Sequence, residues 1–407
     1  NKQKTAINDI NKLNNSQYRE TILLQGDVGS GKTIVALLSS IPFLNKNLQV
    51  AYMAPTEILA QQIYENVITF LSSQDLRAVL LTGSTKDKTD IYFKISKNKF
   101  NFIVGTHAIF QENLEFNNLS YVIIDEQHRF GVQQRLFLAE KGIDTNILLM
   151  SATPIPRTLA LAQYGEIEQI IINERPAFQK PIITRVSDTS KINDLAIYLK
   201  KNVNELNQAY WICPLVEATD NLQYKDVDSR YKSLKKIFGE SVQMLHGKMK
   251  SQEKELIINQ FKKGEIKVLV ATTVVEVGID NKNANFIVIE NAEKFGLSQL
   301  HQLRGRVGRG DLQGYCFSIY GKDITETSTE RLQIFKDNID GFRLAEKDLE
   351  IRGTGDILGY RQSGDSLFKF VNPLQDQDLI IDSLDYVKEI ITKNKYENES
   401  FKKNIYK

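Results

Sequence analysis

Short, nearly continuous apolar runs alternate along the chain with stretches whose apolar residues recur at helical spacing. TILLQ (21–25), VAYMA (50–54), FIVGT (102–106), YVIID (121–125) and ILLMS (147–151) are runs of the first kind. A strand buried on both faces has no solvent side to alternate with, so such runs predict parallel strands covered by helices. Residues 33–44 and 57–71 supply amphipathic helices between them. A second series follows: AYWIC (209–213), VQMLH (242–246), VLVAT (268–272), FIVIE (286–290) and YCFSIY (315–320). Between the series lies NERPAFQKP (173–181), with two prolines and mixed charge, which reads as a linker. The pattern predicts two α/β lobes, residues 1–172 and 182–324, each a doubly wound parallel sheet.

From residue 325 the strand runs stop. STERLQIFKDNIDGFRLAEKDL (328–349) has helical spacing broken at Asp340-Gly341-Phe342, which predicts a helical hairpin. A glycine-rich, charged stretch, DLEIRGTGDILGYRQSG (348–364), follows, and hairpin plus loop are expected over 325–370. The remainder, 371–407, is expected to be a C-terminal helix and tail, its last part frayed or disordered.

Composition narrows the setting. Of 407 residues, 42% are hydrophobic and 25% charged, as in globular chains. No run of apolar residues is long enough to cross a membrane, and none is expected at one. The net charge of +2 neither demands nor excludes a nucleic-acid partner. Cys213 and Cys316 stand alone in apolar runs and read as buried thiols of a reducing compartment. The four histidines show no metal-ligand spacing.

Candidate chemistry begins with GDVGSGKT (26–33), placed between an expected strand and an expected helix. This is the pattern of a phosphate-binding loop. Gly26, Asp27, Val28, Gly29, Ser30 and Gly31 let backbone N–H groups curl around phosphate oxygens, Lys32 reaches the outer phosphates, and the Thr33 hydroxyl ligates Mg²⁺. In VIIDEQHRFG (122–131), Asp125 and Glu126 fall at the C-terminal end of a buried strand, where open α/β sheets bind ligands. Asp125 is expected to hold the Mg²⁺ and Glu126 to polarise an attacking water, which suits ATP hydrolysis. A solvated acidic turn is the other reading of that pair. The second series carries QLHQLRGRVGRG (299–310). Arg306 and Arg309, three apart, would share a helix face kept open by Gly305 and Gly308, and could act on the γ-phosphate. A surface basic patch is the alternative.

Taken together with APTEILAQQ (54–62), GTHAIF (105–110), SATPIPRT (151–158) and ATTVVEVGID (271–280), these segments resemble the ordered motifs of superfamily 2 helicases with two RecA-like lobes. DEQHRFGVQQR, SATPIPRTLA and DLEIRGTGDILGYRQSG are similar to the RecG family of branched-DNA helicases, and the resemblance spans essentially the whole chain. It implies an ATP-dependent DNA helicase or translocase, acting with ATP and Mg²⁺ on branched and duplex DNA, as a bacterial-type cytoplasmic, nucleoid-associated monomer. It also implies residue roles. Gln3 would read adenine, Gln302 would position the γ-phosphate or water, and Gly278 and Asp280 would lie against the nucleotide. Thr56, Thr106 and Thr272 would touch the DNA backbone, each being otherwise a cap or strand residue. His128, Ser151 and Thr153 would couple the ATP site to DNA, and Arg352, Arg361 and Gln362 would serve translocation. Where the family usually reads RGPGE, this chain has Arg352-Gly353-Thr354-Gly355-Asp356. RecG proteins carry an N-terminal wedge domain. Residues 1–407 begin at Asn1 and hold no counterpart, so a missing or separately encoded wedge is expected. Two competing readings are a nucleotide-binding remnant without DNA coupling and a translocase of the transcription-repair coupling type.

Overall fold

The structure is a computed structural model. It describes residues 2–16, 19–72, 75–126, 145–152, 167–174, 180–214, 220–272, 281–322 and 324–352, and also residues 378, 379, 382, 383 and 386.

The first lobe opens with α1 (Lys2–Asn14), followed by β1 (Thr21–Gly26), α2 (Lys32–Ser39), α3 (Ile41–Asn45), β2 (Gln49–Met53) and α4 (Glu57–Phe70). It continues through β3 (Ala78–Leu81), α5 (Lys88–Ser96), β4 (Phe102–Gly105), β5 (Leu119–Ile124), β6 (Asn146–Ser151) and β7 (Glu168–Ile172). The seven strands form one sheet in the order β3-β4-β2-β5-β6-β1-β7, and every pairing is parallel. Ile22, Leu24, Val50, Tyr52, Phe102, Val104, Tyr121 and Ile123 line one core, against α1, α2 and α4 through Ile10, Val35 and Ile63. Each such aliphatic side chain contributes about 1.5–3 kcal/mol by leaving water, before conformational entropy is set against it.

The second lobe runs β8 (Ile183–Asp188), α6 (Ile192–Asn202), β9 (Gln208–Ile212), α7 (Asp220–Phe238), β10 (Val242–Leu245), α8 (Ser251–Lys262), β11 (Val268–Ala271), β12 (Ala284–Glu290), α9 (Leu297–Arg304) and β13 (Tyr315–Tyr320). Its six parallel strands are ordered β10-β11-β9-β12-β13-β8. Trp211, Val268, Val270, Phe286 and Val288 pack against Leu199, Leu234 and Phe238. Both cysteines are free and buried.

All ten apolar runs are strands. The sheets also hold three that no run announces, β3, β7 and β8. Each lies at a sheet edge and is only partly buried; β3 is a short apolar run of four residues, and β7 and β8 mix polar with apolar residues. The single helix expected over 33–44 is two, because the chain turns at Ser40 and Pro42 sits in the first turn of α3.

Beyond the second sheet come α10 (Glu326–Asp337) and α11 (Gly341–Arg352), separated at 338–340. Thr325 caps α10 by accepting from Ser328 N. The loop expected at 353–370 and the tail from 387 lie outside the described residues. No described helix is long and apolar enough to cross a membrane.

Candidate active site

Strand β1 delivers the phosphate-loop sequence to the C-terminal end of the first sheet. Gly29 and Gly31 adopt left-handed backbone, with φ of 83° and 88°. Side chains rarely accept that conformation, and it turns successive N–H groups inward. Ser30 N donates to Asp27 O at 3.1 Å, closing the turn. The Ser30 hydroxyl is buried and makes no hydrogen bond among the described residues, which leaves a polar atom inside the cradle for an incoming oxygen. Lys32, the first residue of α2, folds back and donates to Gly26 O at 2.7 Å and Asp27 O at 3.1 Å. Burial lowers its pKa; the carboxylates of Glu126, Asp125 and Asp27 oppose this, and the charge of Arg309 adds to it.

Asp125 and Glu126 follow the last residue of β5. Asp125 is anchored by its own N–H to Met53 O at 2.9 Å and is nearly buried. Burial pushes its carboxyl up to about 7; the charge of Glu126 adds to this, while Lys32 and a hydrogen bond from Tyr52 hold it back. Glu126 has left-handed backbone, φ 48°, and its N–H donates to Asp125 Oδ1 at 2.9 Å. A non-glycine residue in that region is strained, a feature concentrated at functional sites.

Tyr52 on β2 joins the loop to the acidic pair. Its hydroxyl donates to Asp125 Oδ2 at 3.2 Å and also bonds Thr33. Burial, with Asp125 beside it, raises the tyrosine pKa well above the usual value. Tyr52 thus brackets Thr33 and Asp125. Two oxygen donors beside a costly buried carboxylate suit a hard cation. Sequence reasoning missed Tyr52. The one signal was a polar-tipped ring inside the apolar run VAYMA.

The second lobe meets the loop directly. His301 on α9 bonds Asp27 Oδ1 through Nε2 at 2.5 Å. A Cβ on Gly305 would lie 2.6 Å from Val28 Cβ, so only glycine permits this approach. Gln302 is buried on the same helix. The expectation that Arg306 and Arg309 share a helix face is corrected here. Helix α9 ends at Arg304, and both arginines lie beyond it, in a segment turned by Gly308 at φ 68°. Arg309 Nε donates to Gly305 O at 3.0 Å, and its charge is felt at Lys32. Arg306 is buried.

The remaining candidates divide. The Gln3 amide donates to Ser30 O at 2.8 Å, so α1 touches the phosphate loop. Thr56 caps α4, accepting from Leu59 N at 3.3 Å, as in the simpler of its two readings. Thr106 and Thr272 are 7% and 2% exposed. Ser151 is buried at the end of β6, level with Gln25 on β1. His128, Thr153, Gly278, Asp280, Arg361, Gln362 and the side chain of Arg352 lie outside the described residues.

Two parallel sheets, with a phosphate-loop sequence on one and the charge of an arginine after the other's α9 felt at its lysine, define a two-lobed P-loop fold of the RecA-like kind. Residues 1–162 match the DEAD/DEAH box helicase model and residues 190–311 the helicase conserved C-terminal domain. The chain is 44% identical over 404 residues to the ATP-dependent DNA helicase RecG of Borreliella burgdorferi, covering 98% of this chain and 58% of that protein. It is likewise 44% identical over 366 residues to RecG of Escherichia coli K12, covering 88% and 53%. A solved RecG bound to a three-way DNA junction superposes with a TM-score of 0.72 at 39% identity, covering 93% of this chain and 50% of that one. The chain belongs to the RecG family, and it spans a little over half the length of these relatives.

Proposed function

We propose that this chain is the ATP-driven motor core of a DNA helicase that moves on duplex DNA and remodels branched DNA. The observation that carries the reading is the composite site. Asp27 and Val28 of one lobe touch His301 and Gly305 of the other, with Arg309 acting on Lys32. A nucleotide held there would be gripped from both lobes, so hydrolysis would change how they fit together. The names of the relatives, an ATP-dependent DNA helicase and a RecG on a three-way junction, supply the substrate class.

In this reading Lys32 leaves the carbonyls of Gly26 and Asp27 to hold the outer phosphates. Thr33 and Asp125 hold Mg²⁺, which supplies charge neutralisation on the phosphate oxygens. Glu126 orients the attacking water. Arg306, Arg309 and Gln302 face the transferred group, and Gln3 stands by the base. Thr56, Thr106 and Thr272 serve the DNA track, and His128, Ser151 and Thr153 couple it to the ATP site. Arg352, Arg361 and Gln362 belong to translocation. The core works as a cytoplasmic monomer.

The test is ATP turnover with no DNA, with linear duplex and with a three-way junction. DNA is expected to stimulate turnover, and Lys32→Ala to abolish it. Turnover indifferent to every DNA would sink the motor reading.

A further inference from the structure

His301 is not among the residues to which the family motifs give a task, yet it stands where three parts of the molecule meet. Its Nε2 faces Asp27 Oδ1 at 2.5 Å. Its Nδ1 lies 3.0 Å from Arg304 Nη2. A guanidinium can only donate, so Nδ1 accepts and Nε2 carries the proton given to Asp27. The same carboxylate oxygen accepts from Val28 N at 2.7 Å, so the histidine holds the phosphate loop by its second residue.

On its other side the contact runs into the C-terminal helices. Arg304 is 1% exposed. It donates to Phe335 O and Asn338 O at 2.9 Å and to Ile339 O at 3.1 Å, and its guanidinium lies 4.4 Å from the Phe335 ring centre. These carbonyls end α10 and form the turn before α11, so one cation satisfies groups a helix end leaves open. The turn also touches the histidine itself. A Cβ on Gly341 would lie 2.6 Å from His301 Nε2, so the start of α11 rests against the atom that holds Asp27.

We propose that His301 is a positioning residue that transmits the state of the phosphate loop to the 338–341 turn between the two C-terminal helices. The proposal rests on the nucleotide-site reading above. Its logic is local. Asp27 O accepts from Lys32 Nζ in the present arrangement. When Lys32 turns to a phosphate, Asp27 loses that partner and the loop re-forms around the ligand. His301 holds the side chain of the same residue, and any shift reaches Gly341 across a contact with no slack. His301 touches neither ligand nor reacting atoms; it acts through Asp27 and the turn.

The test uses the whole chain and four variants: His301→Phe, His301→Gln, Gly341→Ala, and His301→Phe with Gly341→Ala. Phe keeps the ring and removes both nitrogens; Gln restores a donor. His301→Phe is expected to lose about tenfold of the DNA stimulation, read as the ratio of turnover with DNA to turnover without it, a mid-range coupling between sites. His301→Gln is expected to recover part of the loss. Gly341→Ala should imitate His301→Phe although alanine is the better helix former, and the double variant should be no worse than either single one. Losses that multiply, or stimulation left intact in His301→Phe, would overturn the proposal. So would a fall in DNA-free turnover as large as the fall in stimulation, which marks a merely structural role. A second readout is the histidine ring ¹⁵N–H spectrum of the wild-type chain with and without a non-hydrolysable ATP analogue. His301 should show the Nε2–H form and shift when the analogue binds; binding without a shift defeats the proposal. A wild-type chain that binds the analogue but never hydrolyses ATP sinks the motor reading, and the ring spectrum then decides this one separately.

Discussion

The two sheets follow one plan and put it to different uses. Strand for strand, β3-β4-β2-β5-β6-β1 of the first lobe corresponds to β10-β11-β9-β12-β13-β8 of the second, and the first adds β7. β1 and β8 therefore occupy the same place. β1 is clamped between β6 and β7, is buried from Ile22 to Gly26, and runs through the left-handed Gly29 and Gly31 into α2. β8 is an edge, has no buried residue, and leads to α6 through the short turn Thr189–Lys191, which Asp188 caps by accepting from Ser190 N. A loop of unusual backbone costs conformational entropy and holds its shape only if its roots are fixed. The extra strand fixes one root, with Gly26 level with Ile172. Among the described residues the second lobe has no such support at β8. What it presents to the phosphate loop comes instead from α9 and the residue after it, with His301 beside Asp27 and Gly305 against Val28.

If the lobes divide the work this way, the largest effect should come from the second lobe's cation. Arg309→Ala is expected to lower ATP turnover by about 10³-fold, as removal of a finger on transferred phosphate does. Nucleotide binding should survive, because the cradle lies in the first lobe. Steady-state turnover beside titration with a fluorescent nucleotide checks both halves. Unchanged turnover would return Arg309 to the basic-patch reading.

Stability should show the same inequality. Leu24→Ala on β1 removes a fully buried side chain from the first core and should cost about 3 kcal/mol in denaturant unfolding. Val186→Ala on β8, half-buried at an edge, should cost below about 1 kcal/mol. Equal losses would mean that β8 is as firmly held as β1, and the clamp argument would fail.

That inequality also explains what the sequence disclosed. Interior strands such as FIVIE and YVIID are apolar on both faces, so each run announces itself. EQIII and ITRVSD are edges that mix polar with apolar residues and are only partly buried, so neither makes a long apolar run. The phosphate loop was legible because its residues are contiguous, and so was Asp125 at a strand end. Tyr52 was hidden in an apolar run, since a hydroxyl's partner cannot be read from periodicity. Arg306 and Arg309 suggested a helix by spacing alone, but Gly305, which admits Val28, also ends α9. The bond between Asp27 and His301 joins residues 274 apart, which no local pattern encodes.

A smaller effect concerns the acidic end of the first sheet. The Asp125 carboxyl is pushed up from 3.8 to about 7, chiefly by burial. The fold therefore favours the protonated form. The stability this group contributes is fully present below pH 3.8 and is lost as pH rises through about 7. In magnesium-free buffer, Asp125→Asn should gain on the wild type across that window, because the amide carries no charge to bury. Thermal melts of both proteins at matched pH give the difference. A constant difference from pH 4 to pH 7 would show that Asp125 does not carry the desolvation cost assigned to it.

The smallest expected effect tests the silent strand end. Lys191 precedes α6 much as Lys32 opens α2, but its Nζ lies 3.5 Å from Asp194 Oδ2 and both side chains are exposed. An exposed ion pair contributes about 0–1 kcal/mol, and water screens its charge from any distant phosphate. Lys191→Ala should leave turnover within about twofold of wild type and stability within about 0.5 kcal/mol. A tenfold loss of turnover would place a phosphate, of nucleotide or of DNA, at the end of β8. The second sheet would then use its first strand as the first sheet does, and the clamping of β1 by β7 could not be the reason the lobes differ.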